Sequence, residues 1–502
     1  MNNFNHNTIE TEYLNDYNIF LSNLSISLEN KFAKTASPLL SKQETVTNFY
    51  NFIYKKSIPL NLYKIFIYNL ILFPFRIMWH FLNLVYINRK FKIKSLPKNY
   101  VYFRTWLVPN SITNNSITDV YFGNLSNDLQ AKETVILSYH PYKYTILWGK
   151  VNFINKNNII SIGILSFKDI IFCFLDYILN ARNYQKKSIY YKNINLKKHI
   201  NLFFLNEYFQ MTPFLAFLEK RIAHKLLVNK IKAFIYVFEN QSWEKVYCDI
   251  FSKNNITTIG YQSSGFSKIF LNFFPTKFDF LNQPQPNYIL TVGDAFTKIL
   301  NDNSNYKSKI ITFAALRFNH PVINNLFEIS APNLNNLKKI LYSFSVIESQ
   351  HEYIIKKLIE VFSKTSITVH LKLHPLNQHF IKKYKNKLPK NFHFINKINN
   401  YSLKDNYDFT LFNDNSFGIE SLIYGVKSYE FNIYGNNLDE RLIYFNSWSN
   451  RIDIYELYKL KNKLENSNFD KNYDVNNITT YINFLYTPYN SNKMNKILNI
   501  IN

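Results

Sequence analysis

The residues best able to do chemistry in this chain follow short apolar runs. KAFIYVF ends in Glu239-Asn240-Gln241-Ser242-Trp243-Glu244, and NITTIGY ends in Gln262-Ser263-Ser264-Gly265. KIITFAAL is followed by Arg317 and then His320-Pro321, ITVHLKL by His374-Pro375, and DFTLFN by Asp414-Asn415-Ser416-Phe417-Gly418-Ile419-Glu420. A carboxylate at the end of an apolar run is partly desolvated, which raises its pKa and suits Glu239 to act as a general base. Glu244, five residues on and inside the next helical pattern, is the second candidate base, or else a helix-surface charge. Trp243 reads as core. Gln262, Ser263 and Ser264 offer hydrogen bonds to a hydroxyl-rich substrate. His374 can donate to a phosphate or simply face solvent, and Arg317 can fork onto the same phosphate or form a surface ion pair. Asn415 and Ser416 stand where SFGIESLIYG should begin a helix, either as an anion site or as a plain N-cap. Glu420, one turn later on the same face, can accept from ribose hydroxyls or support the helix.

Such residues need elements to hold them. From about residue 96 the chain alternates four- to eight-residue β-rich runs with helical-period segments, which predicts parallel sheets covered by helices on both faces. In open sheets of that kind ligands bind beyond the carboxyl ends of the strands. The expected organisation is a helical extension over 1–95, Rossmann-like units over 96–285 and 286–470, and a helical tail over 471–502. The Pro-rich FPTKFDFLNQPQPN, with Pro275, Pro284 and Pro286, is the expected join. Only nine glycines occur, six of them between 260 and 435, and none forms GxGxxG or GxxxxGK[ST]. A dinucleotide fingerprint and a P-loop are therefore absent, as is a GxSxG elbow. Tyr139-His140-Pro141 repeats the His-Pro pair without a helix-start signal after it and reads as a loop.

Lys plus Arg is 59 against 34 for Asp plus Glu, a formal charge of +25. Only eight of those cations are Arg, and Lys rises together with Asn, Ile, Tyr and Phe. That mixture follows codon composition as much as selection for a polyanion, so no nucleic-acid partner is expected. An anionic substrate or an anionic membrane surface suits the charge better. Two cysteines exclude a disulfide framework and a Cys-rich zinc site. The histidines lack metal spacing and no Asp-x-Asp pair occurs, so neither a metal nor a cofactor is expected. The polar, acidic opening predicts no secretory signal and hence a cytoplasmic protein. The segment 59–94 is the most apolar. Lys64, Pro74, Arg76 and His80 interrupt it, which leaves no uncharged run long enough to span a bilayer. It reads as a helical hairpin packed on the body or as an in-plane helix pair on the inner face of a cytoplasmic membrane.

YVFENQSWEK, IGYQSSGFS, PNYILTVGDAF, FAALRF, LKLHP and NDNSFGIESLIYG, with ITDVYFGNLSNDL upstream, resemble the ordered motifs of bacterial surface-carbohydrate biosynthesis proteins with a GT-B glycosyltransferase fold. The resemblance covers about 100–435. Its His-Pro and Ser-x-x-x-Glu pieces are similar to those of sialyl-, polysialyl- and Kdo-type transferases. It implies two Rossmann-like domains facing across a cleft, with the donor nucleotide on the C-terminal one and the last helix crossing back to the first. It also implies phosphate-holding roles for His374 and for Asn415 and Ser416. The usual Gln-His pair is Gln262-Ser263 here. The implied activity is transfer of a sugar from a nucleotide-sugar, CMP-linked sugars being favoured, to a glycan or glycolipid acceptor. Alternatives are a CDP-polyol phosphotransferase of the teichoic-acid type, a nucleotide-sugar epimerase of the same fold, and a basic scaffold for anionic polymer.

Overall fold

The structure is a computed structural model. Apart from scattered short stretches it describes residues 6–27, 45–53, 62–107, 119–139, 158–316, 322–432 and 451–501. The chain divides into two compact units. The first comprises residues 11–263, 269–319 and 489–502; the second comprises 1–10, 264–268 and 320–488.

The first unit is built on a seven-stranded, all-parallel sheet. Its strands are β1 (Val101–Trp106), β2 (Thr134–Tyr139), β3 (Asn158–Ile160), β4 (Ala233–Val237), β5 (Thr257–Tyr261), β6 (Tyr288–Thr291) and β7 (Lys309–Thr312). They lie in the order β3-β2-β1-β4-β5-β6-β7. β4 is buried at every position, as expected of a parallel strand covered on both faces. Helices include α1 (His6–Ser27) from residue 11 on, α2 (Leu62–Lys90), α3 (Phe167–Asn180), α4 (Lys197–Gln210), α5 (Phe214–Leu227), α6 (Ser242–Ser252) and α7 (Asp294–Asn303).

The second unit carries a six-stranded parallel sheet. Its strands are β8 (Lys339–Ser343), β9 (Thr368–Lys372), β10 (Phe392–Phe394), β11 (Phe409–Phe412), β12 (Lys427–Phe431) and β13 (Arg451–Ile452). The order β10-β9-β8-β11-β12-β13 is the Rossmann order 3-2-1-4-5-6. Helices α8 (His351–Phe362), α9 (Phe417–Ile423), α10 (Ile454–Glu465) and α11 (Val475–Leu485) belong to it. α8 and α10 share one core with the inner faces of β8, β9 and β11, built on Ile340, Leu358, Val369, Leu411 and Leu457. The expected α/β class, with two parallel Rossmann-like sheets, is the one formed.

Three expectations are corrected. The first sheet does not end near 285. β6 and β7 pair on with β5, because their runs continue its edge and Asn287 Oδ1 accepts from the Thr258 amide at 2.8 Å. The 286–470 assignment therefore begins too early by those two strands. The 471–502 tail is also divided: α11 stays with the second unit and α12 (Ser491–Ile501) with the first. There the Tyr489 hydroxyl donates to Asp128 Oδ2 at 2.7 Å, and the Phe313 ring lies 6.1 Å from that of Tyr489. Finally, 62–90 is one 29-residue helix running through Pro74, neither a hairpin nor a pair. Pro74 lies on its exposed side, where the ring needs no room in the packed interface.

Candidate functional site

In each sheet the strand order reverses once, between β1 and β4 in the first and between β8 and β11 in the second. The crevice beyond the carboxyl ends of the strands at such a reversal is where open α/β sheets bind ligands.

At the first reversal, β4 runs into Glu239-Asn240-Gln241 before α6. Asn240 takes a left-handed φ of 52°, which turns the chain sharply. Glu244, in the first turn of α6 and only 1% exposed, closes this turn. Its carboxylate accepts from the amide of Glu239 at 3.0 and 3.2 Å and from that of Asn240 at 2.9 Å. Burial, followed by the nearby Glu239 charge, pushes the Glu244 pKa well up, against the backbone donors that lower it. Asn240 Nδ2 donates to the Asn272 carbonyl at 2.6 Å, and Asn272 Nδ2 donates back to the carbonyl of Glu239. The half-buried Glu239 carboxylate accepts from Gln241 Nε2 at 3.3 Å. Glu244 is thus a clasp for the loop and closed to an acceptor, whereas Glu239 is the carboxylate the loop presents.

Trp243 is buried, as expected, and its ring has a partner the sequence did not reveal. The Arg104 guanidinium on β1 lies 4.3 Å from the rings of both Trp106 and Trp243. It is ion-paired with Glu219 of α5 at 2.7 Å, with both side chains fully buried, and the Tyr247 hydroxyl donates to the same carboxylate. Much of the Glu-Asn-Gln-x-Trp-Glu string therefore shapes the loop rather than facing a substrate. Gln262 is likewise structural: its amide donates to the Leu290 carbonyl at 2.9 Å and its Oε1 accepts from Val292 at 3.2 Å, bridging β5 to the end of β6. Both Gln262 and Ser263 are buried, and Ser264 lies outside the described residues.

The upstream DVYFG segment also has a mechanical reading. Asp119 Oδ1 accepts from the amides of Tyr121 and Phe122 at 2.7 Å each, forming a tight turn. Gly123 then takes φ +54°, where a Cβ would stand 2.2 Å from the Leu316 carbonyl oxygen. In the same unit a chain of hydrogen bonds runs from Thr291 to Thr297 (2.6 Å), to Thr312 (2.8 Å) and to Asp294 (2.6 Å) at the ends of β6 and β7. Sequence reasoning missed this chain, because single threonines carry no motif. Arg317, His320 and His140 lie outside the described residues.

At the second reversal, Asn415 holds the turn after β11. Its Nδ2 donates to the carbonyls of Ser343 and Asn413 at 2.9 and 3.0 Å, and its Oδ1 accepts from Phe417 at 3.0 Å. The expected ligand hand is thus committed to backbone. α9 begins at Phe417 and runs for seven residues, just under two turns. Gly418 is required there, since a Cβ would meet the Phe412 ring at 1.9 Å. Ser416 is half-buried before the helix.

The cation at this site is one the sequence reading passed over. Lys372, last on β9, lies 3.7 Å from the Phe417 ring centroid. Burial lowers its pKa, and the Glu420 charge opposes that. His374 follows two residues on, just beyond the end of the strand and close enough to feel the Lys372 charge. Burial, with Lys372 and His351 nearby, pushes His374 down to about 4, so its imidazole is neutral at physiological pH. His351 is fully buried, with Nε2 3.1 Å from the Ser345 carbonyl oxygen. The structure therefore gathers His374, Glu420 and Asn415 with the unforeseen Lys372 and His351 in one unit, and holds Glu239 in the other.

No protein-family profile matches the chain, and no curated protein does. Similar solved structures include UGT89C1 of Arabidopsis thaliana complexed with quercetin, at 9% identity and a TM-score of 0.46, over 80% of this chain and 99% of that one. The lipopolysaccharide outer core galactosyltransferase WaaB is similar at 11% identity and a TM-score of 0.40, over 80% and 99%. So is the UDP-N-acetylglucosamine 2-epimerase of Rickettsia bellii, at 10% and 0.46, over 80% and 96%. Transferases and epimerases both occur among them.

Proposed function

We propose that this protein is a glycosyltransferase that moves a sugar from a nucleotide-sugar, CMP-linked sugars being favoured, to a hydroxyl of a bacterial surface glycan or glycolipid. The observation that supports this is the chemistry at the two sheet reversals: a presented carboxylate, Glu239, at one, and a cationic, imidazole-bearing group, Lys372 and His374, at the other. Glu239 takes the acceptor hydroxyl proton as the oxygen bonds to the anomeric carbon. The bond from that carbon to the leaving phosphate breaks, and Lys372, His374 and Arg317 receive its charge. Ser416 and Glu420 face the donor, while Asn415, Glu244 and Gln262 set the backbone around it and around Glu239.

Thermal-shift titration with CMP, CDP, UDP and GDP identifies the nucleotide, since a ligand of the folded state alone adds stability by mass action. With that donor, His374→Ala and Lys372→Met should each lose the shift. Glu239→Gln should keep it and lose roughly a hundredfold or more in transfer rate. Full transfer by His374→Ala with a confirmed donor would overturn the assignment. A new phosphodiester product would indicate the polyol-phosphate reaction, and isomerised donor alone the epimerase.

A further inference from the structure

Two helices leave one face of the first unit apolar. α2 turns its polar side chains inward: Asn69 Nδ2 donates to Asn206 Oδ1 at 3.1 Å, Arg76 Nη1 to the Phe209 carbonyl at 3.0 Å, and Asn88 Nδ2 to the carbonyls of Ile162 and Leu165 at 2.7 Å each. His80 is pushed down to about 4 by burial and by Arg76, so it too is uncharged. On the opposite side Ile67, Tyr68, Ile71, Phe75, Met78 and Trp79 are each more than half exposed. α3 packs alongside, its Phe174 and Phe167 rings 5.6 and 6.1 Å from that of Phe81, and it exposes Phe172, Leu175 and Leu179. Among the described residues, most of the exposed large apolar side chains lie on these two helices. Patches of that extent mark interaction sites.

Positive charge predominates around the face. α2 contains no Asp or Glu, and Lys64, Arg89 and Lys90 are exposed near its ends. The two acids of α3 are held by cations of α5: Asp169 by Lys225 at 2.9 Å, and Asp176 by Lys220 and Arg221 at 3.3 and 3.7 Å. A second copy docked through the same patch would bring these positive ends together. A spanning helix is long and apolar enough, but spanning would strip Asn69, Arg76 and Asn88 of their partners inside lipid.

We infer that α2 and α3 together form a docking face for an anionic bilayer surface. α2, about 43 Å long, lies in the plane of the interface, with Trp79, Tyr68 and Tyr86 at headgroup level and the end cations on anionic lipid. An anionic inner leaflet is such a surface.

The full chain should float with phosphatidylcholine vesicles containing a minority of phosphatidylglycerol and float poorly with pure phosphatidylcholine. Phe172→Glu/Leu175→Glu on α3 should weaken that binding on the order of tenfold or more, with the melting temperature unchanged. Leu281→Glu, at an exposed position on another helix, should have no effect. Absence of binding to the anionic vesicles, or unchanged binding by the α3 variant, would overturn the inference. So would resistance to alkaline carbonate extraction, which means a span, or a dimer that the same substitutions dissociate, which means a second copy.

Discussion

Glu239 and Glu244 stand five residues apart in one motif and have opposite environments. Glu244 accepts three short contacts from two backbone amides, so Glu244→Ala leaves buried donors unmet. It should cost about 2–3 kcal/mol of stability by chemical denaturation and lower activity only through the misplaced loop. Glu239→Gln should leave the melting temperature alone and remove turnover. The histidines give a pH prediction. His80, His370 and His374 are each pushed down to about 4, burial being the first cause in every case. Between the ordinary value of about 6.5 and that level, the unfolded chain binds protons the folded chain refuses. These three histidines should therefore cost stability as pH drops from about 6.5 towards 4, as thermal melts across that range would record.

At the scale of elements, the sites depend on close approaches that two glycines permit. Gly123→Ala must place a Cβ against the Leu316 carbonyl at a φ of +54°, so loss of soluble protein or a large drop in melting temperature is expected. Gly418→Ala drives a methyl into the Phe412 ring. It should shift α9 off β11, weakening nucleotide binding more than it lowers the melting point of the first unit. The Arg104–Glu219 pair is a further element-level support, joining β1 to α5 beside the Trp243 ring. Arg104→Met alone strands a buried carboxylate and should cost about 3–5 kcal/mol. Arg104→Met with Glu219→Leu should recover most of that in denaturant titrations.

For the molecule as a whole, the two units should answer separately to separate insults. Removing residues 489–502 takes Tyr489 from Asp128 and the buried Ile497 from the first unit. Calorimetry should show the first unit's transition moving down while the second unit's transition stays in place. A variant at Glu239 and a variant at His374 should each abolish transfer, though only the second should abolish nucleotide binding. Coincident movement of both transitions in every case would mean the units do not melt independently.

The alternation of β-branched runs with helical periods determined the α/β class, and the strand ends that carry Glu239, His374 and Ser416 were readable because parallel strands are short, apolar and bounded by polar turns. What decided the rest was pairing at long range. Whether Tyr288–Thr291 and Lys309–Thr312 extend the first sheet or open the second depends on which edge they hydrogen-bond, and local sequence does not encode an edge. A glutamate that clasps a loop and one that is offered to a substrate have the same chemistry in a string; only the amides folded against Glu244 and the exposure left to Glu239 distinguish them. Lys372 looked like one lysine among many until β9 and α9 met and set it on the Phe417 ring. Period and composition are local properties of a chain, whereas burial and partners exist only after folding.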